Sequence, residues 1–214
     1  MKNLSPLLYK ERMTNKNITL TTEKQTIIPI YYIDLYEGEG KEIIQKYKFN
    51  NQRYDNYLLN ILMDMCIDII IENKDSDIIF TYPPSTMFYR KEKSIDSMEN
   101  LLKLAKIYIN DYFRFDQGHK IIFKSLFIPN VKHLKNKKAQ HIDGNRKSRT
   151  KDLDQRYKIS FWSNRYIKNN TKIIIVDDIS STGGTLLACK QTLDKHIQNK
   201  NLNSVEVDLY SLMH

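Results

Sequence analysis

Long hydrophobic runs, glycine and proline are scarce in this sequence of 214 residues. The most apolar stretch is interrupted by Asp64, Asp68 and Glu72, so no run reaches the ~18 apolar residues that a membrane-spanning helix requires. The amino terminus also lacks the apolar core of a signal peptide. We therefore expect a cytoplasmic protein without membrane insertion.

Metal-ligand patterns are missing as well. Cys66 and Cys189 stand far apart with no Cys-x-x-Cys spacing, and the five histidines show no ligand spacing either. Lone cysteines of this kind are usually small buried apolar residues, so we expect no disulfide. The sequence predicts no structural zinc site.

The domain organisation follows from another absence, since six glycines and five prolines leave no linker rich in either residue. Residues 1–25 are polar and unpatterned, and we interpret them as an N-terminal arm. We expect one domain over residues 26–214, with its core in residues 76–214 and a smaller strand and helix subregion before it.

Strands and helices alternate along the second part of the chain. This alternation indicates βαβ units, so we expect an α/β fold in which helices flank a mostly parallel central sheet. Sheets of this kind bind ligands at the carboxyl ends of their strands. The expected strands are 26–33, 77–82, 120–128, 173–176 and 205–210, and the expected helices are 41–48, 54–71, 95–108 and 184–197.

Positive charge is abundant, with a formal net charge of +9. Such a balance attracts polyanions, either nucleic acid or a small substrate that carries pyrophosphate. The densest basic run spans residues 132–158 and lies in a polar segment that begins at residue 130. A solvated loop fits this run, and so does a lid that closes over a site, because structureless loops of this length are uncommon.

One motif carries recognisable chemistry. Four β-branched residues precede Asp177 and Asp178, which places both carboxylates at the carboxyl edge of the predicted sheet. Hydroxyls and backbone N–H groups at a helix start suit a phosphate, and the carboxylates suit the vicinal hydroxyls of a sugar. The turn that supplies those groups is Ser181, Thr182, Gly183, Gly184 and Thr185.

This string resembles the fingerprint of type I phosphoribosyltransferases. From about residue 34 onward, the chain more narrowly resembles the competence protein F (ComF) family. Residues 36–48 are similar to an upstream segment of that family, and Pro83 and Pro84 to the Pro-x-Pro that ends its first core strand. Residues 93–97 stand in the place of its Arg-Gly-Phe-Asn-Gln. The resemblance implies phosphoribosyl transfer from phosphoribosyl pyrophosphate, Mg²⁺, and a link to DNA uptake.

The resemblance also implies roles for individual residues. The turn at 181–185 would hold the 5-phosphate, and Asp177 and Asp178 the ribose, with Mg²⁺ bridging its hydroxyls and pyrophosphate. Asp178 would serve as general base for the acceptor. Candidates for the pyrophosphate loop are Ser85, Arg90, Lys91 and Lys93, and those for the lid are Lys137, Lys138 and Arg149.

Three departures from the family pattern bear on activity. The four-cysteine zinc ribbon is missing, and Ser94 stands where the family has a glycine that lets backbone amides face pyrophosphate. The family's lid pattern is matched only by Gln140 and by either Arg149 or Arg156. Of these departures, Ser94 and the loosely matched lid favour lost or altered catalysis.

Several alternatives stay open at this point. Tyr82, Phe88 and Tyr89 could stack an acceptor base, but the sequence does not separate purine, pyrimidine and amine acceptors. A non-catalytic competence module that grips single-stranded DNA with the basic loop is the second hypothesis. A relic that binds neither ligand is the third. The sequence leaves oligomerisation open.

Overall fold

A computed structural model describes residues 14–20, 26–34, 38–49, 56–85, 96–112, 119–130, 156–180 and 183–213. The strands are β1 (Thr14–Leu20), β2 (Thr26–Asp34), β3 (Asp77–Thr81), β4 (Ile121–Phe123), β5 (Phe127–Pro129), β6 (Tyr157–Ile159), β7 (Thr171–Ile179) and β8 (Val205–Met213). The α-helices are α1 (Gly38–Phe49), α2 (Asn56–Glu72), α3 (Ser97–Tyr112) and α4 (Gly184–Asn199), and a 3₁₀ turn spans Asn164–Tyr166.

The main sheet of the described residues has the strand order β1-β2-β8-β7-β3-β4. The five strands from β2 to β4 are mutually parallel, and only β1 pairs antiparallel, on the outer side of β2. The predicted α/β fold with a mostly parallel sheet is therefore confirmed. Strands β5 and β6 form a separate two-stranded antiparallel ribbon.

The sheet separates two hydrophobic cores. On one face α1, α2 and α3 pack against Ile174 and Val176 of β7, and on the other face α4 and the β5–β6 ribbon pack against Ile173 and Ile175. All four side chains are buried because β7 lies in the middle of a parallel sheet covered on both sides.

The two cysteines fall into different cores. Cys66 belongs to the core under α2 and Cys189 to the core under α4, and both are free and fully buried. The expectation of two buried thiols without a disulfide is confirmed. Burial raises the pKa of each thiol well above its ordinary value.

The prediction of a single strand over residues 120–128 is wrong. The last bond to β3 runs from the Lys124 N–H to the Phe80 carbonyl. The chain then leaves the main sheet, because the Leu126 N–H donates to the side-chain oxygen Thr81 Oγ1 at 2.9 Å. The following residues turn onto the α4 face and pair with β6, which starts within the segment predicted as loop.

The remaining differences concern the ends of elements. Strand β7 extends to Ile179, so the two aspartates occupy its last residues instead of following it. Strand β1 lies inside the segment interpreted as an arm, whose other residues lie outside the described part of the chain. Among the described helices, none is long and apolar enough to span a membrane.

The connections create a crevice between β3 and β7. The chain leaves β3 through α3 towards β4, and leaves β7 through α4 towards β8, which lies on the opposite side. The two helices accordingly cover opposite faces of the sheet. Ligands of α/β proteins bind where the strand order reverses in this way, outside the carboxyl ends of the strands.

Candidate functional site

An open hollow lies at the carboxyl end of β7 and the start of α4. Its volume is about 210 Å³, including the part that is open to solvent. Both halves of the sequence motif contribute to it, the strand through its carboxylate and the turn through its glycines. The lining residues are Asp177, Ile179, Ser180, Gly183, Gly184, Thr185 and Leu186.

Gly183 determines how the chain enters α4. Its φ of 68° and ψ of −1° lie in the left-handed region, where a Cβ atom would be unfavourable. The Gly183 carbonyl accepts the first helical bond from the Leu187 N–H at 2.8 Å. The preceding N–H groups of the first turn have no intrahelical acceptor, so Gly184 and Thr185 present donors at the positive end of the helix dipole.

The two aspartates of the motif point to opposite faces of the sheet, because side chains alternate along a strand. Asp177 is partly exposed and lines the hollow, whereas Asp178 is only 5% exposed and does not line it. Each carboxylate accepts a backbone bond from the next residue, at 3.0 Å from the Asp178 N–H and at 2.7 Å from the Ile179 N–H. The sequence predicted that both carboxylates contact one sugar, but only Asp177 faces the hollow in which a sugar would lie.

Asp178 lies towards the residues that follow β3. Its charge acts on the carboxylate of Asp96, which is itself 5% exposed. Burial raises the pKa of Asp96, and the charges of Glu99 and Asp178 add to this, while the N–H groups of Ser85 and Glu99 oppose it. Asp178 is thus near enough for its charge to act on the mostly buried Asp96.

Asp96 was not singled out from the sequence, although it holds both ends of the loop after β3. Its Oδ2 accepts the Ser85 N–H at 2.7 Å, and its Oδ1 accepts the Glu99 N–H at 3.3 Å. The second bond caps the amino terminus of α3. A signal was present, since Asp96 and Glu99 have the spacing of a capping box.

Ser85, the first pyrophosphate candidate, lies at the crevice between β3 and β7, but its amide is engaged by Asp96. Tyr82, a stacking candidate, is only 5% exposed and belongs to the core, so it offers no open face. The other candidates of the motif, loop and lid lie outside the described residues: Ser181, Thr182, Phe88, Tyr89, Arg90, Lys91, Lys93, Ser94, Lys137, Lys138, Gln140 and Arg149.

The ends of the segment interpreted as a lid meet at the β5–β6 ribbon. The Asn130 N–H donates to the Arg156 carbonyl at 2.8 Å, which closes the β5–β6 ribbon. Burial raises the pKa of the Cys189 thiol, the Asp177 carboxylate raises it further, and the Arg156 guanidinium acts in the opposite direction. Of the two arginines that could match the family's lid, Arg156 lies in the described part of the chain and Arg149 does not. The charges of Arg156 and Asp177 both influence the pKa of Cys189.

The described residues contain no group of three or more Asp, Glu, His or Cys side chains that could hold a metal ion. The opposite orientations of Asp177 and Asp178 also prevent them from acting as a chelating pair. Mg²⁺ commonly binds through one carboxylate together with phosphate oxygens of a substrate. Asp177 fits that role, with the ligand supplying the other oxygens.

No protein-family model matches the sequence, and no curated protein matches it either.

Proposed function

We propose that this chain binds phosphoribosyl pyrophosphate or a related sugar phosphate at the carboxyl end of β7 and acts as a phosphoribosyltransferase. One observation carries the proposal. A single hollow joins the Asp177 carboxylate, an acceptor for sugar hydroxyls, to the amide donors at the start of α4, which suit a phosphate. Its position at the reversal of strand order supports the same conclusion.

In this proposal the 5-phosphate lies against Gly183, Gly184 and Thr185, and Asp177 accepts hydrogen bonds from the ribose hydroxyls. The C1–O bond to pyrophosphate breaks through a cationic ribosyl centre, and a bond from C1 to the acceptor forms. The acceptor proton passes to a carboxylate. The resemblance gives this role to Asp178, whereas Asp177 is the carboxylate that lines the hollow. Bound Mg²⁺ would neutralise the departing pyrophosphate.

The loop after β3 determines how firmly pyrophosphate is held. Because Asp96 occupies the Ser85 amide, pyrophosphate contacts must come from other groups of that loop or from the lid. We therefore expect the sugar-phosphate half of the ligand to supply most of the binding free energy. The site could therefore bind a sugar phosphate even where it does not transfer the phosphoribosyl group.

Isothermal titration calorimetry with Mg²⁺ tests the proposal. The wild-type protein should bind phosphoribosyl pyrophosphate, and Asp177→Asn should weaken binding by about 10-fold or more, because hydrogen bonds to a charged group contribute about 1.5–3 kcal/mol. The same variant should lose less for 2-deoxyribose 5-phosphate than for ribose 5-phosphate. Absence of binding to the wild-type protein would contradict the proposal.

Asp194→Asn is a suitable control, since this carboxylate pairs with Lys190 along α4 and does not line the hollow. Asp178→Asn separates binding from chemistry. If Asp178 is the general base, pyrophosphate release in the presence of an acceptor falls in this variant while ligand binding is retained.

A further inference from the structure

A surface beside the β5–β6 ribbon exposes two large aromatic side chains. Phe161 is 82% exposed and Trp162 is 68% exposed, in the turn that directly follows β6. Burial of such side chains is strongly favourable, so two adjacent ones left in solvent mark a site of interaction more often than a lone exposed ring does. Neither residue lines the hollow at β7.

The turn is held rigidly although its rings are exposed. The Ser160 N–H donates to the Leu126 carbonyl at 2.8 Å, and the Ser163 N–H donates back to the Ser160 carbonyl at 2.9 Å. Ser163 is fully buried, and its hydroxyl donates to the Ser125 carbonyl at 3.1 Å. Both rings are thus presented on a fixed backbone and do not depend on a mobile tip.

Two cations lie over a third ring, that of Tyr166, which is four residues after Trp162 in the sequence. Lys124 Nζ lies 5.1 Å from the centre of the Tyr166 ring, and the Arg165 guanidinium lies 4.9 Å from it. Arg165 also donates to the Tyr166 hydroxyl at 2.8 Å. We call Lys124, Phe161, Trp162, Arg165 and Tyr166 the aromatic-basic surface.

The charge of this region has one sign. The segments 119–130 and 156–170 contain six Lys and Arg residues and no Asp or Glu. The densest basic run of the sequence, residues 132–158, overlaps the second segment, and the whole chain has a net charge of +9. A partner for this surface therefore carries negative charge along an extended length.

The arrangement of the rings narrows the partner further. Phe161 and Trp162 form an edge-to-face pair with centroids 5.6 Å apart and an interplanar angle of 82°. In such a pair, the ring that contributes its edge keeps both faces clear of the other ring, so a planar base can stack on it. Aromatic stacking combined with a cationic track is how proteins bind single-stranded nucleic acid without reading its sequence.

We infer that the aromatic-basic surface binds single-stranded nucleic acid, with bases stacked on Phe161 and Trp162 and phosphates neutralised by Lys124 and Arg165. The residues that carry this site are distinct from those of the sugar-phosphate hollow. Duplex nucleic acid fits less well, because its bases are already stacked and offer no free face to the two rings.

The chain contains a single tryptophan, so fluorescence that is excited selectively at tryptophan reports on this surface alone. Titration with an oligothymidylate of about 15 nucleotides at low salt should quench Trp162 fluorescence in a saturable manner. Log affinity should fall linearly with log salt concentration. A parallel titration with oligouridylate distinguishes DNA from RNA as the preferred strand, and inorganic polyphosphate, which has no bases, should leave the fluorescence unchanged.

Variants separate stacking from charge, with binding followed by the fluorescence anisotropy of a labelled strand. Phe161→Ala and Trp162→Ala should each weaken binding by about 10-fold or more, whereas Trp162→Phe retains a stacking ring and most of the affinity. Arg165→Gln should reduce the salt slope by about 0.7, the value for one phosphate contact with a single strand. Because the altered side chains are exposed, melting temperatures should stay close to that of the wild type.

The matched control is Lys106→Gln/Tyr108→Ala, which removes an exposed cation and an exposed ring from α3. This variant should bind the strand as the wild type does, and so should Asp177→Asn, which alters the hollow. An unquenched Trp162 at saturating oligothymidylate would overturn the inference. Undiminished affinity in a folded Phe161→Ala/Trp162→Ala variant would overturn it as well, and so would equal quenching by polyphosphate.

Discussion

Asp96 shows how one side chain can link the fold to the site. It caps α3 through the Glu99 N–H and fixes the start of the loop after β3 through the Ser85 N–H. The two bonds use both carboxylate oxygens, Oδ2 for the Ser85 N–H and Oδ1 for the Glu99 N–H. The negative charge that accompanies them is unfavourable here, because the carboxylate is mostly buried and the charges of Glu99 and Asp178 act on it.

Substitutions of Asp96 therefore separate the acceptor from the charge. Asp96→Ala removes the cap and should destabilise the protein by about 0.5–2 kcal/mol, the usual effect of losing such a residue. Asp96→Asn removes the charge but keeps only one acceptor oxygen, and its NH2 group cannot accept the second N–H, so at neutral pH it should be destabilised by less than Asp96→Ala. Urea unfolding of the three proteins measures the difference, and a loss in Asp96→Asn as large as that in Asp96→Ala would contradict this account.

The pH dependence follows from the same pKa. A carboxyl group whose pKa is raised in the folded state contributes most to stability when it is protonated, below its ordinary pKa near 3.8. That contribution is lost as the pH rises through the raised value. The wild type should consequently gain stability relative to Asp96→Asn as the pH falls through the folded pKa of Asp96.

At the same scale, the sequence predicted the motif but not the orientation of its aspartates. The run of β-branched residues and the turn glycines placed Asp177 and Gly183 at one edge of the sheet, and both line the hollow. Asp178 is buried and its charge acts on Asp96, which is about 80 residues away along the chain. Local patterns carry no information about contacts of that separation.

At the level of elements, the break between β4 and β5 depends on one buried hydroxyl. Thr81 is fully buried at the end of β3, and its Oγ1 accepts the Leu126 N–H at 2.9 Å. The sequence from 120 to 128 is rich in β-forming residues, so its pattern favours one continuous strand. The tertiary bond to Thr81 overrides that preference and directs β5 into the ribbon beside α4.

Thr81→Val tests this explanation. Valine has nearly the same shape but leaves the Leu126 N–H without its acceptor, so we expect a destabilisation of about 1–3 kcal/mol. Thr171→Val is the matched control in the neighbouring strand. Thr171 is 2% exposed and its hydroxyl finds no partner among the described residues, so its replacement should be neutral or stabilising. Equal unfolding free energies for the two variants would show that the Thr81 bond is dispensable.

Elements with a strong hydrophobic pattern were predicted well, and elements that depend on pairing were not. Helix α2 and strand β3 match their expected ranges to within two residues. Strand β6 has three residues and lies at the end of a long polar segment, and β1 lies in an unpatterned arm. Strand β6 is stabilised by pairing with β5, and β1 by pairing with β2. The residue pattern within one strand carries no information about such pairing.

In the whole molecule, the two ends of the central strands have different roles. At the carboxyl end of β7, Asp177 faces the hollow. Nearer its amino end, Lys172 Nζ lies 2.8 Å from Glu206 Oε2 and 2.8 Å from Asp208 Oδ2, both on the adjacent strand β8. Charges are paired across the strands at this end, which joins β7 to β8 without contributing to the ligand site.

Lys172 should therefore make stability sensitive to alkaline pH. Burial lowers the pKa of its ammonium group, but the bonds to Asp208 and Glu206 outweigh this effect and raise the pKa above its ordinary 10.5. The charged form is favoured in the folded state, so the contribution is complete below the unfolded pKa and is lost as the pH rises through the folded value. Lys172→Met should be less stable than the wild type at neutral pH, and the difference should narrow above about pH 10.4.

Urea unfolding at a series of pH values measures this difference, and Asp208→Asn serves as the companion variant. Removing one partner of Lys172 should bring its folded pKa closer to the unfolded value, so Asp208→Asn should show a smaller alkaline loss than the wild type. Binding of sugar phosphate at neutral pH should be unchanged in both variants, because Lys172 and Asp208 do not line the hollow at the carboxyl end of β7. A stability difference between Lys172→Met and the wild type that stays constant up to alkaline pH would show that the ion pairs do not raise this pKa.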